Sequence, residues 1–215
     1  MLGVGTGALL QNDLTDPEND GVEGPTDPGP PQTAGTDFNW ISINASEADL
    51  LTSGFAEQLM RRMRAKNVDL SQLTLEVTET MLLVDNTQAV RRVLTELRDN
   101  GVSIALDDFG TGYSSLSHLR DFPIDKVKID GSFIQAMASD QQATKIVRAL
   151  IGMANSMGLS VIAEGVETET QSRLLQQMGC SLGQGFLFGH AEDLRRLMLG
   201  PHCNYKLQTV ASAVA

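Results

Sequence analysis

The sequence predicts an α/β fold in which successive strand–helix units wind a parallel sheet into a barrel. Three observations carry this. From Phe38 onward, short apolar runs alternate with longer stretches of helical periodicity about six times in succession, and repeated βα units imply a parallel sheet. Nearly every predicted strand closes on a polar or charged residue: Asn44, Glu76 with Glu79, Asp107 with Asp108, Lys128 with Asp130, Glu164 and Gln184. Functional groups spread over the carboxyl ends of many strands belong to a barrel, whereas an open doubly wound sheet gathers its site at one switch point. No Gly-x-Gly-x-x-Gly follows the first strand, so the main signal for a dinucleotide-binding sheet is missing.

Taken in order, Trp40–Asn44 reads as the first strand. A helix follows from about Glu47 to Ala65, with Phe55, Leu59, Met60 and Met63 on one face. Leu73–Glu79 is the second strand. Its helix runs from about Thr87, capped by Asp85 or Asn86, to Asn100, buries Val90, Val93, Leu94 and Leu97, and stops at Gly101. Val102–Asp107 is a strand buried on both faces, with a short helix around Ser114 to Leu119 after it. Lys126–Asp130 is the fourth strand; the next helix, about Gln142 to Met157, buries Ile146, Val147, Leu150 and Met153 and ends at Gly158. Ser160–Glu164 and a helix from Glu169 to Met178 come next, closed by Gly179. A weak sixth strand over Gly183–Phe188, a helix near Ala191–Leu199 and a frayed tail over 201–215 complete the chain.

Residues 1–37 differ from the rest. They hold five of the seven prolines, seven glycines and seven acidic residues, with no Lys or Arg. Low hydrophobicity with one sign of charge predicts a disordered acidic tail. The whole chain carries −11; subtracting the tail's −7 leaves −4 for the rest. That balance excludes a nucleic-acid polymer as partner, which needs a basic surface, but not a phosphate ligand whose charge a divalent ion offsets. Cys180 and Cys203 show no metal spacing and read as reduced thiols. No run is long enough for a membrane span, and the apolar opening Met1–Leu10 has no basic residue before it. A cytoplasmic chain without membrane contact is the expectation.

The chemistry centres on Ile104–Leu116, where an apolar strand ends in Asp107 and Asp108 and opens into a loop with Gly110 and Gly112. Side chains adjacent along a strand point to opposite faces, so the two carboxylates converge only where the chain bends. Two readings stand open here: a pair of metal ligands, since such a pair is costly at a buried strand end without a cation, or a solvated acidic turn. Carboxylates and a carboxamide at one barrel mouth, with no histidine or cysteine set nearby, suit hard ions such as Mg2+ or Mn2+. Two such ions suit phosphodiester hydrolysis, and Lys128 beside them would orient water or offset charge on phosphate. An internal salt bridge is the alternative for Lys128 with Asp130, and Glu79 and Glu167 read as caps or loop braces. The histidines form no ligand set, and Ser114 and Ser115 lie in no nucleophile elbow, which leaves them as helix caps.

Six motifs in order give these residues a family likeness: Ile43-Asn44-Ala45-Ser46, Leu75-Glu76-Val77-Thr78-Glu79, Asp107-Asp108-Phe109-Gly110-Thr111-Gly112-Tyr113-Ser114-Ser115-Leu116, Lys128-Ile129-Asp130, Ala163-Glu164-Gly165-Val166-Glu167-Thr168 and Gln184-Gly185-Phe186. From about Phe38 to Leu199 the chain resembles the EAL domain, the cyclic di-GMP phosphodiesterase of bacterial signalling. The resemblance implies an incomplete TIM-like (β/α) barrel, with Asn44, Glu76, Asp107, Asp108 and Glu164 as metal ligands. Lys128, Glu164 and Gln184 would serve the reacting water, and Glu79 would steady the loop after the Asp-Asp strand. It further implies Mg2+ or Mn2+, cyclic di-GMP as ligand, the linear product pGpG, and a homodimer or other EAL or GGDEF proteins as partners. The chain departs from the family in having no Glu-Ala-Leu segment, whose glutamate binds metal, nor the arginine that follows it; Gly7-Ala8-Leu9-Leu10 lacks the acid. Gly189-His190-Ala191 also replaces a proline-containing step. A domain short of its first two strands, with an impaired metal site, is the expectation; a binding or interaction module is the alternative.

Overall fold

The computed structural model describes residues 8–9, 41–82, 87–110 and 116–189. The sheet contains β1 (Ala8–Leu9), β2 (Ile41–Asn44), β3 (Leu73–Thr78), β4 (Ser103–Phe109), β5 (Lys126–Ile129), β6 (Ser160–Ala163) and β7 (Leu182–Gly183). From β2 to β7 the spatial order equals the chain order and every pairing is parallel. Right-handed crossovers that always step the same way keep all the helices on one face. A doubly wound sheet would reverse direction part way along. The result is a half-barrel of six parallel strands, an incomplete TIM-like (β/α) barrel.

Strand alternation assigns the two faces. Ile43, Leu75, Val77, Ile104, Leu106, Val127, Ile129 and Val161 are buried and belong to the hydrophobic core under the helices. Their neighbours Thr74, Glu76, Ala105 and Lys128 are buried as well, but on the opposite, concave face. Both faces of the central strands are thus covered, as parallel strands require. Low on the concave face, Lys126 Nζ donates to Thr74 Oγ1 at 2.9 Å, and burial lowers the pKa of that lysine.

The helices follow the predicted stripes, with corrections. α1 (Glu47–Leu51) and α2 (Phe55–Ala65) replace the single helix expected over 47–65. The break falls at Gly54, whose φ of 75° suits a residue without Cβ. Leu59 and Met60 face the core, and a capping box at Ser46 and Asp49 starts α1. In α3 (Thr87–Asp99), Val90, Leu94 and Leu97 are buried. α4 (Leu116–Asp121) and α5 (Gly131–Ala136) are short, and α5 was not anticipated. α6 (Gln141–Ser156) buries Ala143, Val147, Ile151 and Ala154, while Ile146, expected inside, is 46% exposed. The buried stripe steps by four and three residues, and Ile146 lies one position off it. α7 (Glu169–Gln177) starts at a Thr168–Gln171 capping box.

At the far end, β7 stops at Gly183, and Gln184–Phe188 turns away where a strand was expected. β1 pairs antiparallel with β7, Ala8 opposite Gly183 and Leu9 opposite Leu182, inside the stretch read as a tail. The apolar opening of that stretch matches a sheet edge better than its acidic remainder does. Cys180 is buried, donates to Leu182 O at 3.2 Å, and has its thiol pKa pushed up to about 11 by burial. The acidic residues 13–37, the caps Asp85 and Asn86, Ser114, Ser115, the 191–199 helix, Cys203 and residues 201–215 lie outside the described residues. Among the described residues, no helix is long and apolar enough to cross a membrane.

Leu75 is wholly buried in β3, between two parallel neighbours. Leu75→Ala is expected to cost about 3 kcal/mol, read as a lower urea midpoint with an unchanged slope.

Candidate metal and phosphoryl site

The carboxyl ends of β3 to β6 bring three carboxylates to one ammonium. Lys128 Nζ lies 2.9 Å from Glu76 Oε2, 2.9 Å from Asp107 Oδ1 and 2.7 Å from Glu164 Oε1. Register explains the convergence. Glu76 and Lys128 occupy the concave face of their strands; Ala105 of β4 lies opposite Glu76 on one side and Lys126 on the other, and Lys128 stands two residues further toward the rim, level with the bulge that carries Asp107. Glu164 follows β6, and its N–H donates to Ile129 O at 3.0 Å, which brings it level with the end of β5.

Asp107 and Asp108 share this rim because β4 bulges. Leu106 pairs with Val127 and Phe109 with Ile129, so three steps of β4 face two of β5. The extra residue re-aims the side chains. The chain bends at Asp108, with φ of 55°, and again at Gly110, with φ of 100°; aspartate is among the residues that tolerate that region, and Gly112 lies outside the described residues. Asp108 N donates to Asp107 Oδ1 at 3.1 Å. Oxygens of Asp107, Asp108 and Glu164 all lie within 4.8 Å of one another, and among the described residues these three form the one such acidic group.

The electrostatics report a surplus of negative charge. Burial pushes the Glu164 pKa up to about 7, reinforced by Asp107 and Glu76 and opposed by Lys128. Asp108, exposed over much of its surface, is raised by partial desolvation and by Asp107 and Asp130. Burial pulls the Lys128 ammonium down, yet Glu76, Glu164 and Asp107 outweigh it and its pKa rises well above the ordinary value. Four carboxylates against one ammonium leave a deficit of positive charge. An all-oxygen donor set of this kind fits a hard divalent cation.

The other expected residues are placed as follows. Asn44 ends β2 in register with Glu76, on the same rim. Gln184 follows β7, its N–H donating to Ala163 O at 2.8 Å. Glu79, itself buried, begins the turn after β3, and its Oε1 accepts from Gly110 N at 3.1 Å, tying the chain beyond the Asp-Asp bulge to the end of β3. Asp130 is a helix cap: its Oδ1 accepts from Ser132 N at 3.0 Å and opens α5. The internal salt bridge read for Lys128 therefore exists, with other partners. Glu167 braces Gln135 at 3.4 Å, away from the cluster. The Asp130-Gly131-Ser132 spacing carried the capping signal; nothing in the spacing announced the bulge.

A pH dependence follows. Glu164 titrates near 7 in the fold against about 4.5 in the unfolded chain, so between those values the folded state binds more protons and stability falls as pH rises. Lys128, raised in the fold, contributes stability that is present below its ordinary pKa and lost only at strongly alkaline pH. In EDTA, the chain is expected to melt at a higher temperature at pH 5 than at pH 8. Glu164→Gln should flatten that slope in a thermal melt.

The EAL domain family model matches residues 31–191. A cyclic di-GMP phosphodiesterase of Pseudomonas aeruginosa is 44% identical over 147 residues, covering 68% of this chain and 25% of its own length. A second from that organism, NbdA, is 38% identical over 157 residues, covering 73% and 20%. Among solved structures, the PaMucR phosphodiesterase in complex with c-di-GMP is 37% identical with a TM-score of 0.68, covering 74% of this chain and 64% of that one. Klebsiella pneumoniae BlrP1 with manganese and cyclic di-GMP is 30% identical with a TM-score of 0.68, covering 82% and 41%. The chain spans between 20% and 27% of the length of the first curated relatives it matches. With a family model over most of its length and a half-barrel shared with these structures, the chain belongs to the EAL domain family.

Proposed function

We propose that the rim of β2 to β7 binds cyclic di-GMP and, with Mg2+ or Mn2+, hydrolyses one phosphodiester to give pGpG. The observation that carries this reading is the meeting of Glu76, Asp107 and Glu164 around Lys128, with Asp108 beside Asp107 and Glu164. Asn44, Glu76, Asp107, Asp108 and Glu164 would hold the metal. When bound, a divalent ion supplies an activated water and charge neutralisation at phosphate. Glu164, with its pKa near 7 in the metal-free chain, is poised to take a proton from water. The Lys128 ammonium is fixed on three sides and offsets charge developing on phosphate oxygens without reorganising. Gln184, at the neighbouring strand end, orients the water, and Glu79 keeps the Asp107–Gly110 segment in place. Related structures carry manganese or calcium with cyclic di-GMP, which supports both ion and ligand.

These 215 residues contain no Glu-Ala-Leu segment, so a site built from them alone has one carboxylate fewer than the family pattern. A misplaced ligand of about 1 Å costs roughly a hundredfold in rate. The proposal is therefore an impaired phosphodiesterase site. The missing acid also favours a second reading, a module that binds the dinucleotide without cleaving it.

Cyclic di-GMP turnover by the 215-residue chain with Mn2+ decides between them, with the PaMucR phosphodiesterase assayed alongside. The expected result is pGpG formation at least about 100-fold slower than the comparator. Asp108→Asn, at an exposed position of the cluster, should lower it about 100-fold further. Turnover equal to the comparator overturns the impairment, and tight binding with no pGpG selects the binding module.

A further inference from the structure

The segment that carries Glu164 is held between two glycines from neighbouring strand ends. On one side, a Cβ at Gly165 would stand 3.1 Å from Gly131 Cα, where the chain leaves β5. On the other, a Cβ at Gly185 would stand 2.3 Å from both the nitrogen and the oxygen of Val166. Those are backbone atoms, with no rotamer by which to yield. The φ of Gly185 is 153°, a conformation that residues with a Cβ rarely adopt.

Hydrogen bonds show why the approach is so close. Gln184 N donates to Ala163 O at 2.8 Å, Val166 N to Gln184 O at 2.9 Å, and Leu187 N to Val166 O at 3.0 Å. The turn after β7 and the segment 163–166 are thus laced together on both sides of Glu164, with no room for a methyl group between them. Two residues upstream of Val166, the Glu164 carboxylate must stand 2.7 Å from Lys128 and within 4.8 Å of the two aspartates. Metal–ligand distances tolerate only about 0.2 Å, so relief of the clash by moving Val166 is felt at the cluster.

We propose that Gly185 is a positioning residue for the carboxylate cluster. By letting the turn after β7 rest directly on the Val166 backbone, it sets where Glu164 stands and therefore how tightly the cluster holds a divalent cation. This rests on the metal reading of the site given above.

The test is a Mn2+ titration of the full chain, read as affinity per folded molecule, with folding followed by circular dichroism. Gly185→Ala is expected to weaken Mn2+ binding at least about tenfold. Gly131→Ala, whose Cβ would meet Gly165 Cα at 3.4 Å and Glu164 O at 3.5 Å, makes ordinary contacts and should change it less. Gly152→Ala on α6 enters open space and should not change it. If Gly185→Ala does not fold, Gly165→Ala pushes the same segment from its other side and should weaken binding in its place. A folded Gly185→Ala protein that melts lower but binds Mn2+ as the unaltered chain does overturns the inference, as does unchanged binding in Gly165→Ala. Failure of the unaltered chain to bind Mn2+ overturns the metal reading itself, and this inference with it.

Discussion

One buried ammonium organises the functional end of the molecule. Lys128 is 3% exposed and Glu76 equally so, and each alone would be expensive to take out of water. Together with Asp107 and Glu164 they satisfy one another through charge-assisted contacts of 2.7 to 2.9 Å. Removing one partner from such a group costs about 3–5 kcal/mol because another charge is left buried without compensation. The cluster is still over-supplied with anions: burial raises the Glu164 and Asp108 pKa values, and the neighbouring Asp107 charge raises both further. A site so biased attracts cations.

The fold makes the cluster possible through alternation and order. In each central strand one set of side chains is apolar and faces the helices, while the other set is small or polar and faces the concave side. Because the spatial order follows the chain order, successive strand ends line up along one rim. The bulge in β4 adds the one irregularity that brings two consecutive aspartates to that rim. Glu79 then fixes the backbone just past the bulge by accepting from Gly110.

The half-barrel was legible because its strands are short apolar runs, and because charged residues stand at or just past the ends of β3 to β6. Val90, Leu94 and Leu97 were readable from their spacing alone. Ile146 misled because an apolar residue beside the stripe scores like one inside it. The split of the first helix at Gly54 and the early stop of β7 depend on backbone angles, which composition does not reveal. At the site, the carboxylates and Lys128 were readable as a set. Their pairing was not: Asp130 has the same charge and lies nearer to Lys128 in sequence, yet it turns to cap α5 while Glu76, 52 residues away, takes the lysine. Gly131 and Gly185 carry no side chain to attract notice, and their role exists only in the distances between strand ends.

The parallel, in-order sheet has a consequence for how the site can be divided. Its anions enter from β3, β4 and the end of β6, and its cation from β5, so the contributors run from residue 76 to residue 164. No single βα unit, and no pair of adjacent ones, contains the whole set. A nick anywhere in that span separates the lysine from at least one of its counter-charges along the chain, and only the intact sheet can hold the halves in register.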